Sequence, residues 1–199
     1  MINRYLESII EGRMGQGKAI VLFGARQVGK TTMLKNLLAR RDDVLWLNGD
    51  EQDVRNLFEN VSSTMLKTII GKKSVVVIDE AQRISDIGIG IKLITDNIPD
   101  VQVLATGSSS FDLSNKINEP LTGRKLEYWM YPLSFGELVE HHGLLEEKRL
   151  LAHRLIYGSY PDVINNVGDE RKILTELANS YLYKDILMFD KIKKSDKLV

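Results

Sequence analysis

AIVLFGARQVGKTTML, residues 19–34, is a five-residue apolar run, a glycine-bounded turn and the start of a new apolar pattern. The run AIVLF has no polar position, as in a strand covered on both faces. Beyond the turn, Met33, Leu34, Leu37 and Leu38 recur at helical spacing. The turn itself, Gly24-Ala25-Arg26-Gln27-Val28-Gly29-Lys30-Thr31, meets every fixed position of G-x-x-x-x-G-K-[ST] and lies between strand and helix, as that motif requires.

The chemistry explains the residue types. Glycines let the backbone curl until successive N–H groups point inward at phosphate oxygens. A helix beginning near Lys30 adds its positive end to the same place. Lys30 is then expected to reach the β- and γ-phosphates and the Thr31 hydroxyl to ligate magnesium, with residues 24–31 and Thr32 forming the nucleotide-contacting surface. The expected cofactors are ATP and Mg²⁺.

Working outward, residues 44–47 (VLWL) read as a second buried strand and residues 51–71 as helical. Residues 74–78 (SVVVI) form a third strand that runs into Asp79-Glu80. Beside a P-loop, an aspartate at a strand tip can hold a magnesium-bound water, and the adjacent Glu80 suits a general base that polarises the attacking water. Kinases of small molecules and nucleotides need no such glutamate, since their substrate supplies the nucleophile, so the pair favours hydrolysis. Residues 84–98 read as helical, weakened by Gly88 and Gly90, and residues 101–105 (VQVLA) as a fourth strand ending in Thr106-Gly107-Ser108. A polar stretch spans 108–124, and residues 125–133 (KLEYWMYPL) alternate as a fifth strand. Arg124, just before it, is a candidate for meeting the γ-phosphate of its own chain or of a neighbour.

Helical spacing also marks residues 2–14, and beyond the sheet it marks 134–142, 146–157 and 170–190, interrupted at residues 157–161 (YGSYP). Residues 191–199 are a charged tail. Alternating strands and helices imply an α/β fold with a mostly parallel five-stranded sheet covered on both faces. The division expected is a core of residues 1–133 and a small helical lid or appended region over 134–199.

Composition narrows the function. Of 199 residues, 43% are apolar and 27% charged, the balance of a soluble globular chain. Basic and acidic residues number 27 each, so the net charge of zero gives no global field for nucleic acid or an anionic membrane. There is no cysteine, which removes thiolate chemistry and fits a cytoplasmic setting. No apolar stretch approaches the roughly 20 residues of a membrane helix. Three rival sites are weaker. Asn115-Lys116-Ile117-Asn118 falls short of a guanine-reading Asn-Lys-x-Asp. His141, His142 and His153 lack metal-ligand spacing and read as a solvated face. Trp46 and Trp129 fall in strand patterns, where packing is the default.

GARQVGKTT, VVVIDEAQR, LATGSSSFDL, LTGRKLEYWMYPLSFGEL, YGSYPDVI and YLYKDIL together resemble a family of bacterial and archaeal AAA-domain ATPases, over about residues 1–190. The resemblance implies a three-layer P-loop NTPase of the catalytic-glutamate division, with sheet order 5-1-4-3-2. It also implies a polar sensor at the end of the fourth strand, with Thr106 and Ser108 as candidates, and ATPase activity. Longer members carry a further C-terminal domain of unknown function, and this chain stops where that domain would begin. That implies either a shortened form or loss of the region. Two functions stay open: a magnesium-dependent ATPase, or a nucleotide switch with little hydrolysis. The switch would act through a homo-oligomer or a protein partner, and a link to DNA rests on family analogy alone.

Overall fold

The computed structural model describes residues 2–108 and 110–179. Five strands, β1 (Ala19–Phe23), β2 (Val44–Asn48), β3 (Val75–Asp79), β4 (Gln102–Gly107) and β5 (Lys125–Trp129), form one sheet in the order β2-β3-β4-β1-β5. All four ladders are parallel. Read from β5, this is the expected order 5-1-4-3-2. The three central strands are buried almost throughout, β1 and β4 at every position and β3 at all but Asp79. A parallel strand paired on both sides and covered on both faces has no place for a polar alternation.

The chain forms two compact units. One comprises Asn3–Ala25 and Gly29–Tyr131; the other contains Arg26–Val28 and the described residues from Pro132 onward. In the first unit the sheet is flanked by α1 (Tyr5–Glu11), α2 (Lys30–Leu37), α3 (Gln52–Leu57), α4 (Ser63–Ile70), α5 (Ile87–Asn97) and α6 (Ser110–Ile117), with a 3-10 turn at Ala81–Arg83. Its core joins Phe23, Val76, Ile78 and Ala105 of the strands to Phe58, Leu66, Ile91 and Leu113 of the helical layers. Each of the larger of these side chains, fully buried, contributes about 1.5–3 kcal/mol.

The second unit is helical: α7 (Phe135–His142), α8 (Leu144–Arg149), α9 (Leu151–Tyr157), α10 (Pro161–Asn165) and α11 (Glu170–Leu177). Ser134 caps α7 in a reciprocal box with Glu137. The interruption at 158–160 ends where Pro161 opens α10, a position where its missing N–H costs nothing. The part of the expected last helix beyond 179, and the tail, lie outside the described residues.

Several local expectations are corrected. Residues 51–71 are two helices, because Asn60 adopts φ 55° and Ser62 accepts from the Met65 N–H to start a new one. The polar stretch after 108 contains α6. In α5, Gly88 and Gly90 are no weakness: a Cβ at Gly88 would stand 2.2 Å from the Lys116 carbonyl oxygen, and one at Gly90 would strike the Phe58 ring at 2.5 Å. β5 ends at Trp129, and Trp46 and Trp129 are 37% and 48% exposed on the two edge strands rather than in the core.

Candidate nucleotide site

A parallel sheet gathers the carboxyl ends of its strands along one edge, and the loops leaving that edge build the site. β4 lies between β1 and β3. The loop after β1, the acids at the end of β3 and the hydroxyls at the end of β4 are therefore neighbours.

In the first of these loops, Gln27 (φ 61°) and Gly29 (φ 98°) take left-handed conformations, the curl that turns backbone N–H groups inward. A side chain at Gly29 would be strained at that φ. Gly29 is the N-cap of α2 without a side-chain cap, and the first intrahelical bond of that turn runs from the Met33 N–H to the Gly29 carbonyl. The N–H groups of the first turn are thus directed out of the helix end. Lys30 is only 5% exposed, and its Nζ donates to the carbonyls of Gly24 at 2.8 Å and Ala25 at 2.9 Å. Bonds of this kind are what a buried ammonium requires.

The Thr31 hydroxyl donates to Asp79 Oδ2 at 2.8 Å. The other oxygen, Oδ1, accepts from the Thr106 hydroxyl, and Thr106 is fully buried. The same Thr106 oxygen accepts from the Glu80 backbone N–H at 3.2 Å. Glu80 leaves the strand in a left-handed turn (φ 50°, ψ 41°), uncommon for a residue with a Cβ and often found where a side chain must be aimed. Gly49, after β2, approaches this turn so closely that a Cβ there would lie 2.4 Å from the Glu80 carbonyl oxygen. Ser108 donates to Glu80 Oε2 at 3.2 Å. Thr31, Asp79, Glu80, Thr106 and Ser108 are therefore joined in one hydrogen-bonded group, and Lys30 sits one residue from it.

Arg124 is not brought to the loop that follows β1 in its own chain. Its carbonyl accepts from the Ala19 N–H, which places it at the opposite, amino edge of β1. The five residues of β1 separate that edge from Gly24, about 16 Å at ~3.3 Å per residue. Its guanidinium is spent on Asp96, Nε to Oδ1 at 2.6 Å. Asn118, the last residue of the near-miss guanine motif, accepts from Lys125 at 2.6 Å at that same edge. Among the described residues no cluster of three His, Cys, Asp or Glu side chains could hold a metal. His142 and His153 are not merely solvated: they pair with Glu147 at 2.6 Å and Glu170 at 3.0 Å.

Residues 16–139, more than half of the chain, match the AAA domain family. The chain belongs to the AAA-domain family. It is 25% identical over 195 residues to the uncharacterized protein MJ1544 of Methanocaldococcus jannaschii. That match takes in 89% of this chain and 44% of the relative, so the chain spans under half of that protein's length. In fold it is similar to the Walker-type ATPase PABY2304 of Pyrococcus abyssi, at a TM-score of 0.63 and 15% identity, covering 97% of this chain and 77% of that one. It is also similar to PH0952 of Pyrococcus horikoshii, a signal transduction ATPase with numerous domains and a tetratricopeptide repeat sensor. There the TM-score is 0.52, the identity 15% and the coverage 94% and 34%.

In this AAA domain one participant was not singled out from sequence. Gln82, in the 3-10 turn, is 8% exposed, and its Nε2 donates both to Glu80 Oε2 and to Ser108 Oγ. A glutamine two residues past the acids carries no spacing signal; it becomes legible only when the ends of β3 and β4 are side by side. Among the described residues no helix is long and apolar enough to cross a membrane.

Proposed function

We propose that this AAA domain binds ATP with magnesium and hydrolyses it to ADP and phosphate. The observation that carries the reading is the bonding of Asp79 to Thr31 beside a separately held Glu80. A hydroxyl and a carboxylate are hard oxygen donors, and Mg²⁺ commonly takes one or two protein oxygens together with phosphates and waters. Thr31 and Asp79 fit that set. When bound, the ion supplies charge neutralisation at the phosphates.

The chain's own groups do the rest. The α2 N-terminus and the amides of residues 24–32 bind phosphate oxygens, and the Lys30 ammonium exchanges the Gly24 and Ala25 carbonyls for the β- and γ-phosphates. Thr106 fixes the Asp79 carboxylate and the backbone of Glu80. Glu80 orients the attacking water and accepts its proton. Thr106 and Ser108, at the end of β4, are the sensor positions beside the γ-phosphate. ATP is favoured over GTP by family and by the engagement of Asn118 elsewhere.

A second reading, a nucleotide switch with little intrinsic turnover, is favoured by the position of Arg124, far from its own phosphate loop. An arginine for the transition state would then come from a second copy or a protein partner. Phosphate release measured across protein concentrations separates the two. Constant, substantial specific activity supports hydrolysis by the lone domain. Activity that rises with concentration supports an arginine in trans, and tight ATP binding without turnover supports the switch.

A further inference from the structure

The Gln82 carboxamide is buried in the turn after β3, yet only half of it is used. Nε2 makes two hydrogen bonds, while Oε1 is buried with no partner among the described residues. A buried, unpaired amide oxygen opposes folding, and a methionine of similar volume would suit the place better on stability grounds alone. Turning the amide over gives no relief, because Oε1 would then face the Glu80 carboxylate. The side chain is thus poorly explained as core filling and well explained by what Nε2 holds.

What it holds is one oxygen of Glu80. Gln82 Nε2 and Ser108 Oγ both donate to Oε2, and Gln82 also donates to Ser108, closing a triangle. Oε1 of Glu80 accepts no hydrogen bond from the described residues, so one carboxylate oxygen is anchored and the other is left for a water. The anchor is itself fixed. The Lys116 ammonium donates to the carbonyls of Gln82 at 2.6 Å and Ile84 at 3.0 Å, pinning the 3-10 turn against α6. Gly107 keeps the slot narrow from the other side, since a Cβ there would be 3.2 Å from Gln82 Oε1.

We propose that Gln82 is the positioning residue for Glu80: its carboxamide clamps one carboxylate oxygen, together with Ser108, so that the other faces the attacking water. This rests on Glu80 being the base in the proposed hydrolysis. Gln82 itself touches neither nucleotide nor water in this role.

The test is Gln82→Met, alone and combined with Glu80→Gln, with ATP turnover, ATP affinity and thermal midpoint measured for each. The expected result is a kcat lower by roughly ten- to a hundredfold, the usual cost of losing a group that orients a reacting one. ATP affinity should stay within twofold and the midpoint should be equal or higher. In the Glu80→Gln background, single-turnover rates should show no further loss. Independently of activity, the side-chain NH₂ signal of Gln82 in a ¹⁵N spectrum, identified by its absence in Gln82→Met, should move when Glu80 is replaced by Ala. An unchanged kcat in Gln82→Met, an equal proportional loss in both backgrounds, weakened ATP binding, a lowered midpoint or an unmoved NH₂ signal would each overturn the inference alone. A wild-type chain without turnover, or one unaffected by Glu80→Gln, would remove the hydrolytic reading and the inference with it.

Discussion

Thr31 and Asp79, 48 residues apart in sequence, share a hydrogen bond of 2.8 Å from the threonine hydroxyl to Oδ2. One residue lies in the first turn of α2 and the other closes β3, so the bond joins the phosphate-loop half of the site to the acidic half. Replacing Asp79 by Asn keeps the shape and removes the charge that a divalent cation needs. We expect ATP affinity with magnesium to fall by about tenfold, while affinity without magnesium stays within twofold, as measured by titration calorimetry. Equal losses with and without the ion would contradict a magnesium role for Asp79.

Lys30 is held by two loop carbonyls in a nearly closed environment. A hydrogen bond to a charged group contributes about 1.5–3 kcal/mol, so Lys30→Met is expected to weaken ATP binding by roughly 10- to 100-fold. Adenosine, which lacks phosphates, should bind the variant and the wild type alike. Equal weakening of both ligands would show a general loss of structure instead.

The close approach of Gly49 to the Glu80 turn gives a prediction about the backbone. Gly49→Ala places a Cβ 2.4 Å from a carbonyl oxygen that cannot rotate away. Overpacking of this kind costs about 1–3 kcal/mol. The thermal midpoint should drop by several degrees and turnover should fall with it, because the turn that must move is the one that aims Glu80.

Much of this was legible in the sequence, and the reasons differ by element. β1 shows as an unbroken apolar run and β3 as four apolar residues ahead of Asp79, because strands buried on both faces leave little room for polar groups. β4 is also buried throughout but keeps Gln102 and Thr106, each hydrogen-bonded. The phosphate loop and the acids show because their chemistry tolerates few residue types. α6 did not show: its buried positions, Leu113 and Ile117, with Leu121 just beyond its end, recur every four residues but are isolated among polar ones. The spacing was the available signal, and the polar composition masked it. The own-chain half of the Arg124 expectation is not met, for another reason, and a role toward a neighbouring chain stays open. Proximity in sequence to a strand does not say which end of the strand faces the nucleotide, and Arg124 enters β5 at the amino edge.

Arg124 and Asp96 form an ion pair with side chains 40% and 35% exposed. Exposed pairs contribute about 0–1 kcal/mol, so Arg124→Ala should leave the unfolding midpoint nearly unchanged. Turnover should stay within about twofold, given the ~16 Å that separate the two edges. A tenfold loss that depends on protein concentration would instead assign Arg124 to a neighbouring chain's site.

In the helical unit Glu147 is buried, with a side chain 1% exposed. Burial alone would push its carboxyl up, but hydrogen bonds from Arg154 and then His142, with their charges, outweigh that and hold it below the ordinary 4.5. A carboxyl depressed in the folded state stabilises above its unfolded value, and that stabilisation is lost as pH falls through the folded value. Urea unfolding should therefore show the helical unit weakening as pH drops below about 4.5, and less steeply in Glu147→Gln. That variant should also be less stable near neutrality, by up to about 3–5 kcal/mol, the cost of breaking a buried pair. An identical acid limb in the two proteins would remove Glu147 from the account.

The most direct test of the whole account is steady-state phosphate release from ATP and magnesium by the wild-type chain beside Glu80→Gln, with ATP affinity measured on both. Turnover is expected in the wild type and a loss of about 100-fold or more in the variant, at unchanged affinity. Equal rates in the two proteins would contradict it.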